Sequence, residues 1–138
     1  MSNRLAAFLA SIAVLGATAF LYFAAPTRSG EAKNVLLLYV GAEDCSPCRK
    51  WQKDDGENFR STTEFSRITY REVKAPTLFE LLKDDYWPHD LRSYRDQLGR
   101  GTGVPLWIVV SNGVIVEQSS GASKWRAAVL PKIRSLLR

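Results

Sequence analysis

Residues 35–48 read VLLLYVGAEDCSPC, and this stretch decides the predicted fold. Its first part, Val35 to Val40, is an unbroken apolar run that ends at Gly41. Such a run is too short for a typical helix and rich in strand formers, which is typical of a buried central strand. The stretch therefore predicts a central strand that leads directly into two cysteines spaced C-x-x-C, Cys45 and Cys48.

The residues that follow the cysteines predict one helix, one strand and two further helices. Residues 49–55 contain good helix formers, and Gly56 predicts the end of that helix. Residues 68–73 alternate in the manner of a second, more peripheral strand. Apolar positions over residues 76–98 fit two short helices that Pro88 separates.

The last third of the chain predicts a β-hairpin and a closing helix. β-branched runs at 104–110 and 114–117 flank Asn112-Gly113, the strongest local signal for a hairpin. Apolar positions from Trp125 onward recur at helical spacing, with Ser123 as the predicted N-cap. The order β-α-β-α-β-β-α predicts an α/β fold with a four-stranded mixed sheet and helices on both faces.

Length and composition limit the classes to which the protein can belong. The chain has 138 residues, 46% hydrophobic and 24% charged, which fits one domain with a real core. Two cysteines and 11% aromatic residues exclude a disulfide-dense miniprotein and a disordered chain. The net charge is +5, but basic and acidic residues are mixed and no basic stripe alternates with aromatics. Nucleic-acid binding is therefore not predicted.

The first 34 residues contain a candidate membrane segment and a linker. Residues 5–25 carry no charge, and a helix of that length rises about 31 Å, enough to cross a bilayer. Arg4 before the run predicts a cytoplasmic N-terminus by the positive-inside rule. We therefore expect a signal anchor at 1–25, a linker at 26–34, and a domain at 35–138 outside the cytoplasm, on the periplasmic side of the inner membrane in a bacterium. The alternative is a secreted protein whose signal is cleaved after residues 17–19.

A C-x-x-C pair at the start of a helix can exchange electrons, hold a metal or form a structural disulfide. Exchange needs an ionised first thiol, and the free N–H groups and dipole of a helix start favour the thiolate of Cys45. A zinc site needs four ligands, and the chain offers only one further candidate of the usual type, His89. A structural disulfide that closes so short a loop restrains little unfolded-state entropy. These considerations favour redox exchange, with a structural disulfide and metal binding as the alternatives.

Two motifs occur together in this sequence, one at the cysteine pair and one at the start of the hairpin. A strand running into C-x-P-C on a helix, followed by Gly103-Val104-Pro105 at the opening of a hairpin, resembles the thioredoxin superfamily over residues 35–138. The resemblance implies a thioredoxin-like fold in which the Val104–Pro105 bond is cis. It also implies that the backbone of Val104 and Pro105 lies beside the thiols and binds the substrate peptide.

Two positions depart from what is typical of thioredoxins. Asp44 stands where they carry a tryptophan, and a carboxylate there disfavours a thiolate on Cys45. Tyr39 stands where they bury an acid that helps to move the proton of the second thiol. We therefore expect the proton of Cys48 to leave by another route, through water or the nearby Glu43.

The sequence thus predicts a membrane-anchored thiol–disulfide oxidoreductase without a cofactor or metal. Cys45 is expected to attack protein disulfides on exported proteins and Cys48 to resolve the mixed disulfide, in the direction of reduction. A reductant outside the cytoplasm needs electrons from a membrane donor. The alternative function is a non-catalytic binding module or metallochaperone that carries a soft ion such as Cu(I) on the two thiolates.

Overall fold

A computed structural model describes residues 34–138 of the chain. The predicted anchor at 1–25 and nearly all of the predicted linker at 26–34 lie outside the described residues. Within the part that the structure describes, no helix is long and apolar enough to cross a membrane.

Four strands form one mixed sheet in the order β2-β1-β3-β4. The central strand β1 runs parallel to β2 and antiparallel to β3, and β3 runs antiparallel to β4. The predicted four-stranded mixed sheet is confirmed, with the second strand at an edge. The strands are β1 Val35–Ala42, β2 Thr69–Ala75, β3 Leu106–Ser111 and β4 Val114–Ser120.

The two central strands are buried on both faces, as their apolar runs predict. The hairpin between β3 and β4 turns at Asn112 and Gly113, whose φ angles are 50° and 81°. A two-residue turn of this type needs positive φ at both positions, which Asn and Gly tolerate. The local sequence therefore suits this turn, and Asn112 is also held by two hydrogen bonds with Asn34.

The first helical segment is longer than predicted. It comprises α1 Ser46–Trp51, a π-helical turn at Gln52–Gly56 and α2 Glu57–Arg60, without a break. Gly56 does not end it, because its backbone is helical with φ −66°. Instead, a β-carbon there would lie 3.0 Å from both the ring and the carbonyl oxygen of Trp51. Gly56 is thus explained by close packing.

The two helices predicted over 76–98 are wrong. This segment forms short 3₁₀ turns and the four-residue α3 Arg92–Arg95. Asp84 holds the turns together by ion pairs with Arg95 at 2.5 Å and Arg92 at 3.1 Å. The buried Trp87 donates its indole N–H to the carbonyl of Leu81 at 2.7 Å. Side-chain contacts between neighbouring turns therefore shape this segment, although its apolar spacing alone suggests helices.

The closing helix begins at Trp125 with a π-helical turn, Trp125–Val129, and continues as α4 Leu130–Leu136. The predicted N-cap Ser123 does not cap it, since the preceding residue is Lys124 and no side chain accepts there. The buried side chains of this helix pack beside those of the first helical segment on one face of the sheet. They form an aromatic cluster of Tyr39, Trp51, Phe59, Trp107 and Trp125. The turns after β2 cover the other face, beside Val40 and Leu106.

Candidate active site

The two cysteines form a disulfide at the point where β1 passes into α1. Cys45 occupies the N-cap position, and the backbone N–H of Cys48 donates to Cys45 Sγ at 3.2 Å. The Cα atoms of the pair are 5.2 Å apart, within the ordinary range for a disulfide. The helix start thus directs an amide donor at the sulfur of Cys45, which favours negative charge on that sulfur when the bond opens.

The two cysteines adjoin different spaces. Cys45 is 6% exposed and lines an apolar groove of about 650 Å³. Cys48 is 1% exposed and lines a smaller, more polar cavity of about 310 Å³. A large partner can therefore approach Cys45 through the groove, whereas Cys48 is more shielded.

The peptide bond between Val104 and Pro105 is cis, as the resemblance implies. Val104 lines the same groove as Cys45, so the structure brings these two predicted site residues together. Pro105 is buried just before β3, and its carbonyl accepts a hydrogen bond from Gly121 N at 2.9 Å. The substrate-binding role predicted for Val104 and Pro105 stays a prediction.

Tyr39 is buried beneath the disulfide, at the position where thioredoxins carry a buried acid. Its ring stacks on Trp51 with 4.8 Å between centroids, and its hydroxyl donates to the carbonyl of Cys48 at 3.4 Å. Burial raises the pKa of Tyr39 to about 12. The phenol therefore stays protonated near neutral pH and acts there as a hydrogen-bond donor, not as a base.

The cavity behind Cys48 offers other groups that could relay a proton. Its lining includes Glu43, Gln52 and Lys74. Lys74 pairs with Glu72 at 2.9 Å, and Glu72 also accepts from Gln52 and from the hydroxyl of Tyr70. Burial alone would raise the pKa of Glu72, but these hydrogen bonds outweigh it, so the pKa is lowered and the carboxylate stays charged.

Gln52, Glu72 and Lys74 are site residues that sequence reasoning missed. Glu72 lies opposite Tyr39 in the parallel register of β1 and β2, and Lys74 lies two residues further along the same strand. The alternation within residues 68–73 contained this signal, since Tyr70 and Glu72 fall on one face. Only the register between the strands shows that this face adjoins the cysteines.

The charged side chains next to the cysteines contact other parts of the domain. Asp44 Oδ1 accepts a hydrogen bond from the backbone N–H of Leu78 at 3.0 Å, which fixes the start of the turns after β2. Arg49 donates to the carbonyl of Glu43, and Lys50 pairs with Asp54 at 2.7 Å. Asp44 therefore has a structural contact that the sequence did not predict. Among residues 34–138, no cluster of three or more His, Cys, Asp and Glu side chains is placed to hold a metal ion.

Comparison with known proteins identifies the fold. No protein-family model and no curated protein matches the sequence. Among solved structures, a mutant thioredoxin from Halobacterium salinarum superposes with a TM-score of 0.50 at 18% identity, over 76% of each chain. The domain has the thioredoxin fold.

A second solved structure has the same thioredoxin fold. It comes from a study of how the glutathione and thioredoxin systems resolve the thiol of yeast mitochondrial 1-Cys peroxiredoxin. It superposes with a TM-score of 0.50 at 14% identity, over 74% of this chain and 78% of the other. On this thioredoxin fold, the Cys45–Cys48 pair lies at the end of β1 and the cis bond at the start of β3.

Proposed function

We propose that this protein is a thiol–disulfide oxidoreductase that acts on protein disulfides. The observation that carries the proposal is the Cys45–Cys48 disulfide at a helix start, with Cys45 lining an open groove beside the cis peptide bond. A disulfide that only stabilised the fold would need no access from such a groove. A reversible one needs access for a partner sulfur.

The reaction begins with the reduced pair. The Cys45 thiolate attacks one sulfur of a substrate disulfide, and the other substrate sulfur leaves as a thiolate that takes a proton from water. Cys48 then loses its proton and attacks Cys45 Sγ, which releases the first substrate sulfur. The substrate disulfide becomes two thiols, and the Cys45–Cys48 dithiol becomes the disulfide that the structure contains.

The proton of Cys48 leaves through the cavity behind it. Tyr39 holds the carbonyl of Cys48 but does not take the proton, since burial raises the pKa of that phenol to about 12. Glu43 lines the same cavity as Cys48, and its carboxylate accepts the proton directly or through water.

The working direction is reduction, and the domain acts outside the cytoplasm, tethered by residues 5–25. These two statements rest on the sequence: the uncharged run is long enough to span a bilayer, and Ser46-Pro47 between the cysteines keeps the proline typical of thioredoxins. The oxidised pair would be reduced again by a dithiol donor in the membrane. Secretion after cleavage of the first residues is the alternative.

The exchange activity is tested by equilibrating the purified full-length chain in buffers of reduced and oxidised dithiothreitol. Free thiols are then trapped with a maleimide and counted by mass spectrometry. The expected result is one transition in which Cys45 and Cys48 change together with two electrons. Thiols that stay free under oxidising conditions would refute the proposal.

The tether is tested by fractionating cells that express the full chain. We expect it in the membrane fraction after carbonate extraction, with a C-terminal tag accessible from outside the cytoplasm. A soluble mature form that starts near Phe20 would show that the first residues are a cleaved signal and not an anchor.

A further inference from the structure

Basic and acidic residues are mixed along most of the chain, but not in its last eighteen residues. Between Gly121 and Arg138 there is no Asp or Glu, and five side chains are basic: Lys124, Arg126, Lys132, Arg134 and Arg138. Residues 34–120 hold eleven basic and thirteen acidic side chains, so the rest of the domain is slightly negative. The excess positive charge of the described domain therefore lies in the closing helix and the turn before it.

Internal ion pairs occupy two of these five basic side chains. Arg126 pairs with Asp55 at 2.6 Å and thereby joins the closing helix to the first helical segment. Arg134 pairs with Glu64 at 2.9 Å, in the turn before β2. Within residues 34–138, the other three form no ion pair: Lys124, Lys132 and Arg138. The fold therefore uses two of the charges and leaves three for another partner.

The side of the closing helix that carries these three charges is otherwise small and uncharged. We call it the basic face, and it comprises Lys124, Ala127, Pro131, Lys132, Ser135 and Arg138. Five of these six residues are exposed, and Lys132 is half-buried. The aromatic side chain of this helix, Trp125, is buried on the opposite side. An extended polar surface can therefore approach the basic face closely.

The closing helix spans the domain from the end of the sheet near the cysteines to the opposite end. It follows β4, whose last residues pair with the start of β3, directly after the cis bond. At the other end of the helix, the carbonyl of Leu137 accepts from Arg67, just before β2 begins. The start of β2 pairs with the start of β1, where Asn34 joins the domain to residues 1–33. Arg138 and this junction therefore lie at the same end of the domain.

We propose that the basic face lies on an anionic bilayer surface. The inference rests on the tether in the proposed function, because residues 5–25 would bring such a surface next to the domain. The linker at 26–34 reaches at most about 30 Å and the helix is about 18 Å long, so the tether lets the whole face touch the headgroups. Lys124 and Arg138, at the two ends of the face, then bind lipid phosphates.

A lipid surface fits the basic face better than a nucleic acid does. Proteins that bind single-stranded nucleic acid combine basic side chains with exposed aromatic ones on which bases stack, and the basic face has no aromatic residue. The slight negative charge of residues 34–120 repels a long polyanion that extends past the helix. A tethered bilayer has a high effective concentration, so a few charges are enough to orient the domain on it.

This orientation affects how the oxidised pair is reduced again. A domain that stood on the end where Asn34 enters would hold the cysteines about 26 Å further from the bilayer, the length of an eight-residue strand. A domain that lies on its closing helix keeps the Cys45–Cys48 disulfide nearer the headgroups. A dithiol donor in the membrane can then reach it.

The test measures lysine reactivity in the full-length chain in lipid nanodiscs. The discs contain phosphatidylcholine alone or a roughly 2:1 mixture with phosphatidylglycerol. An uncharged N-hydroxysuccinimide ester acetylates the lysines, and mass spectrometry gives the rate at each one. We expect Lys124 and Lys132 to react at least about threefold more slowly in the anionic discs, and about 1 M NaCl to abolish the difference. Lys83 is the internal control, because it lies in the turns on the other face of the sheet.

Two variants connect the protection to the basic face. Arg138→Gln removes one exposed charge after the last turn of the helix, so the fold should persist. The weaker attraction should reduce the protection of Lys124 about twofold. Lys83→Gln is the matched control, because it removes the same charge from an exposed position on the other side of the sheet. It should leave the protection of Lys124 unchanged.

The outcomes separate the inference from the proposed function. Equal rates at Lys124 and Lys132 in both kinds of disc would overturn the inference while tether and exchange stand. Equal slowing of Lys83 would overturn it too, as would an RNA oligonucleotide that protects Lys124 in neutral discs as strongly as anionic lipid does. A chain that does not enter the discs would refute the tether and the inference with it. The dithiothreitol transition tests exchange separately.

Discussion

The side chain of Tyr39 fills the space that a β-carbon on Gly41 would need. A β-carbon built on Gly41 would lie 2.8 Å from Tyr39 Cζ and would collide with the hydroxyl oxygen. The phenol cannot easily move away, because it stacks on Trp51 and donates to the carbonyl of Cys48. Gly41 therefore allows Tyr39 to lie directly beneath the disulfide.

Gly41→Ala is expected to destabilise the domain by about 1–3 kcal/mol, because the added methyl group forces Tyr39 out of a packed position. The free energy of unfolding is measured by urea denaturation. Gly99→Ala is the control, since a β-carbon there meets no atom within 4 Å. Equal stability of the two variants would show that Tyr39 moves aside without a loss in the free energy of unfolding.

Alkaline pH should weaken the fold through Tyr39. Burial raises the pKa of Tyr39 to about 12 in the folded state, against an ordinary value of 10.0 for tyrosine. Above pH 10 the unfolded chain loses this proton first, so the free energy of unfolding falls by up to about 1.4 kcal/mol per pH unit until the folded pKa is reached. Tyr70, whose pKa is also raised by burial and by Glu72, adds to the effect.

Tyr39→Phe should remove the part of this pH dependence that belongs to Tyr39. Urea denaturation at intervals from pH 9 to 12 measures how steeply the free energy of unfolding falls with pH in both proteins. Tyr70 is present in both, so its contribution cancels in the comparison. We expect a shallower fall in the variant. The same slope in both would mean that Tyr39 ionises in the folded protein as readily as in the unfolded chain.

Variants that keep only one of the two cysteines should differ in whether they accumulate mixed disulfides with substrate proteins. Cys45 lines the groove and receives the amide donor of the helix start, whereas Cys48 is shielded. Cys48→Ser removes the resolving thiol, so long-lived mixed disulfides should accumulate on Cys45, visible on non-reducing gels and identifiable by mass spectrometry. Cys45→Ser should give none. Adducts of comparable yield on Cys48 in the Cys45→Ser variant would reverse the assigned roles.

Asp44 should stabilise the groove wall through its hydrogen bond to Leu78 N. Asp44→Ala removes the acceptor and should cost about 0.5–1 kcal/mol, whereas Asp44→Asn keeps an oxygen in place and should cost less. Asp85→Ala is the control, because that exposed carboxylate accepts no hydrogen bond from any described residue. Urea denaturation compares the variants. A loss in Asp44→Asn as large as in Asp44→Ala would assign the effect to charge.

Local sequence was sufficient for the central strand, the position of the cysteine pair and the hairpin. An apolar run bounded by glycine needs burial on both faces, and Asn112-Gly113 accepts positive φ without help from the rest of the chain. These signals depend on residues that are adjacent in the chain. The four-stranded mixed sheet, with β2 at its edge, followed from them.

Tertiary structure alone decided the rest. A local pattern predicts a helix end at Gly56, because the Trp51 ring that packs against this glycine does not appear in such a pattern. The segment after β2 forms turns because Asp84 pairs with two arginines of the same segment and the indole of Trp87 donates to the carbonyl of Leu81. The cavity behind Cys48 needed the β1–β2 register, and the groove beside Cys45 needed leucines from far along the chain. Sequence thus determined where the thiols are, and long-range packing determined what surrounds each of them.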